Sequence, residues 1–143
     1  IRDEDYQTDI VIPEISEDNN KKDREIVFNE EQFQNLIANS NSKIIELFNE
    51  LDTYIMGLGN DIRKATTSIY LPYTNGKNFV EIYFQKSNLK LILMHGDYND
   101  PLDKVKKLND SYNWTNDSFM FIGTKEELEY AKDIIKQSYE KTK

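Results

Sequence analysis

Three strand-like segments, Ser68–Tyr73, Asn78–Gln85 and Asn88–His95, follow one another with almost nothing between them. Each is dense in Ile, Val, Tyr, Phe and Leu. Connections this tight join antiparallel neighbours, because a parallel neighbour needs a long crossover. Asn75-Gly76 joins the first two, a hairpin signal because both turn positions favour positive φ. Lys86-Ser87 is the second tight connection. In the third segment Leu89, Leu91 and Leu93 alternate with Lys90, Ile92 and Met94, so one face is buried more deeply than the other. Pro72 has no N–H to give to a ladder, which places the first segment at a sheet edge.

Helical signals flank this β region. Asn29 followed by Glu30, Glu31 and Gln32 is a helix start, and Phe33, Leu36 and Ile37 then share a face. Ile44, Ile45, Leu47, Phe48, Leu51, Ile55 and Leu58 recur at helical spacing, and Gly57 and Gly59 mark the end of that run. Asp100-Pro101 reads as N-cap and first residue of a short helix with Leu102, Val105 and Leu108 on its buried stripe. A fourth strand is expected at Ser118–Ile122. Thr124-x-x-Glu127 is a capping box for a last helix whose apolar face is Leu128, Ala131, Ile134, Ile135 and Tyr139. The order α, α, β, β, β, α, β, α predicts an α+β fold: a small antiparallel sheet of about four strands with helices packed on one face.

Charge divides the chain. Residues 1–31 carry eleven acids and four bases, whereas residues 32–143 carry fifteen acids and fourteen bases. The net charge of −8 therefore belongs mostly to residues 1–31. Residues 1–24 read as an acidic flexible leader or linker, and 25–143 as a single domain. Within the leader, Asp9–Ile12 could form a short edge strand that Pro13 stops. The absence of Cys removes disulfides and thiolate chemistry and fits a cytoplasmic setting. No apolar run is long enough for a membrane span.

Catalytic constellations are absent. His95 is the sole histidine and has no fixed partner in sequence, so a structural role is expected. Asp97, Asn99, Asp100 and Asp103 form an oxygen-rich cluster, but the glycine and terminal acid of a calcium loop are missing. A metal-dependent nuclease needs clustered acids, and only Glu81 is acidic on the second and third strands. Asn113-x-Thr115 and Asn116-x-Ser118 match the glycosylation pattern by coincidence in an Asn-, Ser- and Thr-rich chain. No cofactor and no metal site are implied. What remains is a surface. Lys77, Lys86 and Lys90 lie in or beside the strands, and Lys104, Lys106 and Lys107 lie on the expected short helix. Tyr70, Tyr73, Phe79, Tyr83 and Trp114 supply aromatics nearby. Basic groups with exposed aromatics can hold single strands by charge and stacking; solvated lysines above core aromatics are the structural alternative.

The motifs Asn78-Phe79-Val80-Glu81-Ile82, Gln85-Lys86, Leu89-Lys90-Leu91 and Asp100-Pro101 occur in a distinctive order with Tyr73, Trp114 and Asp117. The C-terminal Glu127-Leu128-Glu129-Tyr130 and Ile134-Ile135-Lys136-Gln137-Ser138-Tyr139-Glu140 complete the set. From Glu25 onward the chain thus resembles a bacterial domain family of unknown function. Its members occupy the C-terminal part of proteins with restriction-type, GmrSD-like nuclease regions, and some are described as predicted transport proteins. The resemblance implies an accessory domain and carries over no catalytic residue. Trp114 departs from the family pattern: Asn113 precedes it and Thr115-Asn116 follow it, where glycines are usual.

The expected function is accordingly a non-catalytic accessory domain of a larger bacterial protein in a restriction or defence-type system, docking onto parent-chain domains or a partner protein. The alternative is a module that binds DNA or RNA through the basic aromatic sheet region. A small hydrolase or ligand-binding domain using His95, Glu81 and neighbouring tyrosines is the third reading. Tyr73, Asn78, Lys86, Lys90 and Trp114 are the candidate binding residues. A second copy of the chain is a further candidate partner, through an edge strand at Asp9–Ile12 or Ser68–Tyr73.

Overall fold

The computed structural model describes residues 27–108 and 116–143. The leader, the expected strand at Asp9–Ile12 and Trp114 lie outside the described residues.

Helix α1 spans Glu30–Ile37 and helix α2 spans Ser42–Met56. Each starts where an Asn side chain accepts a backbone N–H from the first turn: Asn29 from Gln32 at 2.8 Å and Asn41 from Ile44 at 3.0 Å. α2 ends at Gly57, as expected, but Gly57 keeps an ordinary right-handed backbone (φ −86°). The glycine that has to be small is Gly59, where a Cβ would run into the Tyr139 hydroxyl and Asp61.

The sheet runs β1 (Arg63–Lys64), β2 (Leu71–Thr74), β3 (Asn78–Phe84), β4 (Leu89–Leu93), β5 (Lys106–Lys107) and β6 (Ser118–Ile122) in chain order. In space the order is β1-β2-β3-β4-β6-β5, and all neighbours are antiparallel. Helix α3, Lys125–Glu140, closes the chain behind its capping box. Thr124 Oγ1 accepts the Glu127 N–H at 3.1 Å, and the Glu127 carboxylate reaches back to the N–H of Gly123 at 2.7 Å.

The expected α+β fold with an antiparallel sheet is present, and three details of it differ from expectation. The first is strand number: about four were expected, and the described residues form six. The two additions, β1 and β5, are two residues long, too short to show a period of two. The second is the edge position of Pro72. Strand β2 is paired on both sides. The Pro72 carbonyl accepts from Ala65 N–H at 3.1 Å. The missing N–H therefore faces β1, since a strand residue's N–H and C=O point the same way. Proline is tolerated because only a two-residue strand lies on that side.

The third correction is the short helix at Asp100. A turn stands there instead. The Asp100 carboxylate accepts the backbone N–H groups of Lys104 at 3.0 Å and Val105 at 2.8 Å, which a helix would have used. Asp103 adopts a left-handed φ of 56°, which ends any helical run. Leu102 consequently lies exposed, and Lys106–Lys107 form a strand rather than a helix face. The Asn75-Gly76 hairpin forms, but only Gly76 takes positive φ (112°). Asn75 N–H bonds the Lys77 carbonyl, and β3 carries a bulge where Thr74 faces Asn78 and Tyr73 faces Val80.

One sheet face is the core. Leu71, Tyr73, Val80, Ile82, Leu89, Leu91, Leu93, Met120 and Ile122 are all at most 1% exposed and pack against Phe48, Leu51, Ile55, Leu128, Ile134 and Ile135 of α2 and α3. The other face carries no described helix, and the candidate site lies there.

Candidate functional site

Alternation decides which side chains reach the helix-free face. In the ladder register Pro72, Glu81, Ile92 and Phe119 form one row across β2, β3, β4 and β6, and Tyr83, Lys90 and Phe121 form the next. Tyr70 stacks on Tyr83 with ring centroids 5.2 Å apart. Phe119 and Phe121 meet edge to face at 5.7 Å, and the Lys90 ammonium sits 4.9 Å and 5.9 Å from their centroids. The face is an aromatic platform with a cation in its middle.

Beside the platform is a recess of about 590 Å³ lined by Lys77, Asn78, Glu81, Tyr83, Lys90, Ile92, Leu108 and Asn116. Glu81 is half-buried and accepts a hydrogen bond from Asn78 Nδ2 at 3.1 Å. Burial pushes its carboxyl above the ordinary value of 4.5, and the Asn78 bond only partly opposes that. Burial likewise raises the Tyr70 and Tyr83 hydroxyls, so both stay neutral donors. The Asn116 amide is committed to the Asn78 carbonyl at 2.9 Å.

The raised carboxyl has a measurable consequence. A folded-state pKa above the unfolded one gives stability that is full below about 4.5 and lost as pH rises through the folded value. Glu81→Gln removes the desolvated charge. The variant is expected to melt above the wild type at pH 7, with the gap closing as pH falls through the folded value toward 4.5. A gap independent of pH in calorimetric scans would contradict this.

The candidate binding residues separate. Asn78 and Lys90 line the recess together. Tyr73 is fully buried on the opposite face, donating its hydroxyl to Asp52 at 2.7 Å, and is a core residue. Lys86 is exposed in the β3–β4 connection, where its carbonyl accepts the Asn41 N–H, and it does not line the recess. Trp114 lies outside the described residues. Phe119 and Phe121 went unnoticed in the sequence, although Ser118-Phe119-Met120-Phe121-Ile122 alternates with period two and sends both rings away from Met120.

Elsewhere, His95 is exposed and its Nδ1–H donates to Asp117 at 2.7 Å. The neighbouring Ser118 hydroxyl is buried and held by Lys107 and Asp117, so it is not poised as a nucleophile. No three His, Asp or Glu side chains converge on a metal position among the described residues. The Asp100 carboxylate of the oxygen-rich cluster is used by backbone N–H groups and the Tyr130 hydroxyl.

Ion pairs engage Lys64, Lys106, Lys125, Lys132 and Lys143, and among the described residues lysines without a carboxylate partner occur on the helices, at Lys43 and Lys136, as well as on the sheet. Lys64 pairs with Asp52 at 3.0 Å, Lys132 with Glu129 at 3.0 Å and Lys143 with Asp61 at 3.3 Å, while Lys125 contacts Glu50. Lys77, Lys90, Lys104 and Lys107 have no carboxylate within ion-pair distance among the described residues. Both outermost strands are wholly cationic, Arg63–Lys64 and Lys106–Lys107. Charge on a short edge strand discourages pairing with another chain, which counts against an edge-to-edge dimer there.

No protein-family profile matches the chain, and no solved structure does. A protein of Haemophilus influenzae, described as uncharacterized, is 29% identical over 105 residues, 71% of this chain and 35% of that protein. The chain thus spans about a third of the length of the curated relative it matches. Among the described residues no helix is long and apolar enough to cross a membrane.

Proposed function

We propose that this chain is a non-catalytic accessory module of a longer bacterial protein and that it binds single-stranded nucleic acid on the helix-free face of its sheet. The observation that carries the reading is the Lys90 ammonium set against Phe119 and Phe121, with Lys77 and Tyr83 lining the same recess and no carboxylate paired to either cation among the described residues. Bases stack on rings whatever their sequence, and lysines take the phosphates. The likeness to a segment of a longer Haemophilus protein supports the accessory role. The acidic charge of the whole chain is no obstacle, because residues 32–143 are nearly neutral and residues 63–107 carry eight bases against four acids.

Fluorescence anisotropy with labelled single-stranded DNA and RNA across a salt series tests this. Affinity should fall log-linearly with salt. Lys77→Glu with Lys90→Glu should weaken binding about tenfold or more and lower the salt slope by about one per lost phosphate contact. Lys86→Glu, away from the recess, should change little. Absent or salt-insensitive binding would defeat the reading.

A protein segment on the same face is the second reading, the one the sequence put first. Phe121 favours it, an apolar ring 44% exposed on that face. It calls for salt-insensitive capture of another part of the parent chain, lost in Phe121→Ser.

A further inference from the structure

We infer that the recess beside Glu81 recognises a guanine nucleotide, with the base edge on the Glu81 carboxylate and the adjoining phosphate on Lys77 and Lys90. This rests on the nucleic-acid reading of the same face and names what that face selects.

The argument starts from what the recess lacks and what it offers. An ionised carboxylate only accepts, with room for about four hydrogen bonds. Asn78 Nδ2 supplies one, to Oε2 at 3.1 Å. Glu81 is half-buried between Tyr83, Ile92 and Asn78, where a hydrogen bond is stronger than in water, and its Oε1 is open to a ligand without a partner among the described residues. Its best complement is a ligand with two donors side by side. Guanine has that pair on its Watson–Crick edge, N1–H next to the exocyclic amino group. Adenine and cytosine place a donor beside an acceptor there, and uracil sets a single donor between two acceptors. Bases in single strands are read on this edge.

A guanidinium group has the same paired donors, but the recess is a poor host for a cation. Lys77 and Lys90 line the same space, and no described carboxylate other than Glu81 does. A nucleotide answers both demands, because its base donates while its phosphate is anionic. The flat side chain of Tyr83 and the apolar Ile92 suit a purine face. At about 590 Å³ the space falls within the size range of small-ligand sites.

The experiment compares a short labelled uridine strand with the same strand carrying one central guanine, adenine or inosine. Free guanosine monophosphate serves as competitor. One guanine should raise affinity about tenfold over adenine or uridine, the discrimination expected of a paired hydrogen bond to one base. Inosine, which lacks the exocyclic amino group, should lose several-fold of that gain, a readout that needs no protein variant. Glu81→Gln, checked for folding by its melt, should bind every strand with the same salt dependence and no guanine preference. Displacement by guanosine monophosphate would assign the recess to a free nucleotide as well. Failure to displace, with the strand preference intact, would assign it to a base within a strand. Equal binding of all strands overturns this inference and leaves the surface reading standing. No binding of any strand overturns both. An arginine-containing peptide that binds the wild type but not Glu81→Gln, with no guanine preference, would replace the nucleotide by a protein segment.

Discussion

Phe48→Ala is expected to lower the unfolding free energy by about 3–5 kcal/mol, measured by urea denaturation with an unchanged slope. Phe48 is 2% exposed and stands where α1, α2 and the sheet meet. Its ring centroid lies 4.9 Å from Phe84 on β3 and 5.7 Å from Phe33 on α1. Phe33 in turn lies 5.2 Å from Phe28. Truncation therefore loses the transfer free energy of one ring and leaves a cavity that several others border. Those rings hang from two helices and a strand, so the site can collapse only by shifting elements. A domain of this size has a total stability of about 5–15 kcal/mol, so the variant should retain only part of it. A loss below about 1 kcal/mol would mean that α1 is not docked on α2 and β3 as described.

Ser138→Ala is expected to cost about 2–4 kcal/mol, although it removes a single oxygen. The Ser138 hydroxyl is fully buried within α3. It donates to the Phe79 carbonyl at 2.5 Å and accepts the Met94 N–H at 3.0 Å. Phe79 is the bulge residue of β3, and Met94 lies just past the end of β4. Both backbone groups lie where the ladder between these strands has stopped, so a helix side chain satisfies them instead. Alanine would leave a buried donor and a buried acceptor unpaired. Helix propensity runs the other way, since Ala is the better helix former by about 0.5 kcal/mol. A net loss would thus report the two hydrogen bonds and not the helix. Amide exchange at Met94 should accelerate more than exchange in the middle of β4. Unchanged stability would show that water replaces the hydroxyl.

The platform and the recess were only half legible in advance. Lys90, Tyr70 and Tyr83 suit a binding surface by residue type, and Asn78 is a candidate through the motif it opens. Tyr73 was chosen on the same ground and is buried on the other face, because Pro72 and Tyr73 are adjacent and a strand sends neighbours to opposite sides. Lys86 was grouped with Lys90 by number, yet four residues of chain carry it into a turn. Glu81 is an isolated acid in sequence; its setting comes from Asn78 and Tyr83 on its own strand and from Ile92, which the ladder register places opposite it.

What this sequence determined by itself is local: helix starts at Asn29 and Thr124, the apolar stripes of α2 and α3, the antiparallel run from β2 to β4, and the fourth long strand at Ser118–Ile122. Each rests on contacts within a few residues or on a period that many residues repeat. Tertiary structure alone decided the rest. The cationic edge strands β1 and β5 exist only because a neighbouring strand offers hydrogen bonds to two-residue segments that have no period of their own. The turn at Asp100 replaced a helix because its carboxylate also meets Tyr130 on α3, and Asp103 took the left-handed backbone that lets Lys106 reach β6. Which face of the sheet stayed free of helices depended on where α2 and α3 could bury their stripes together, a choice made by packing across the whole domain.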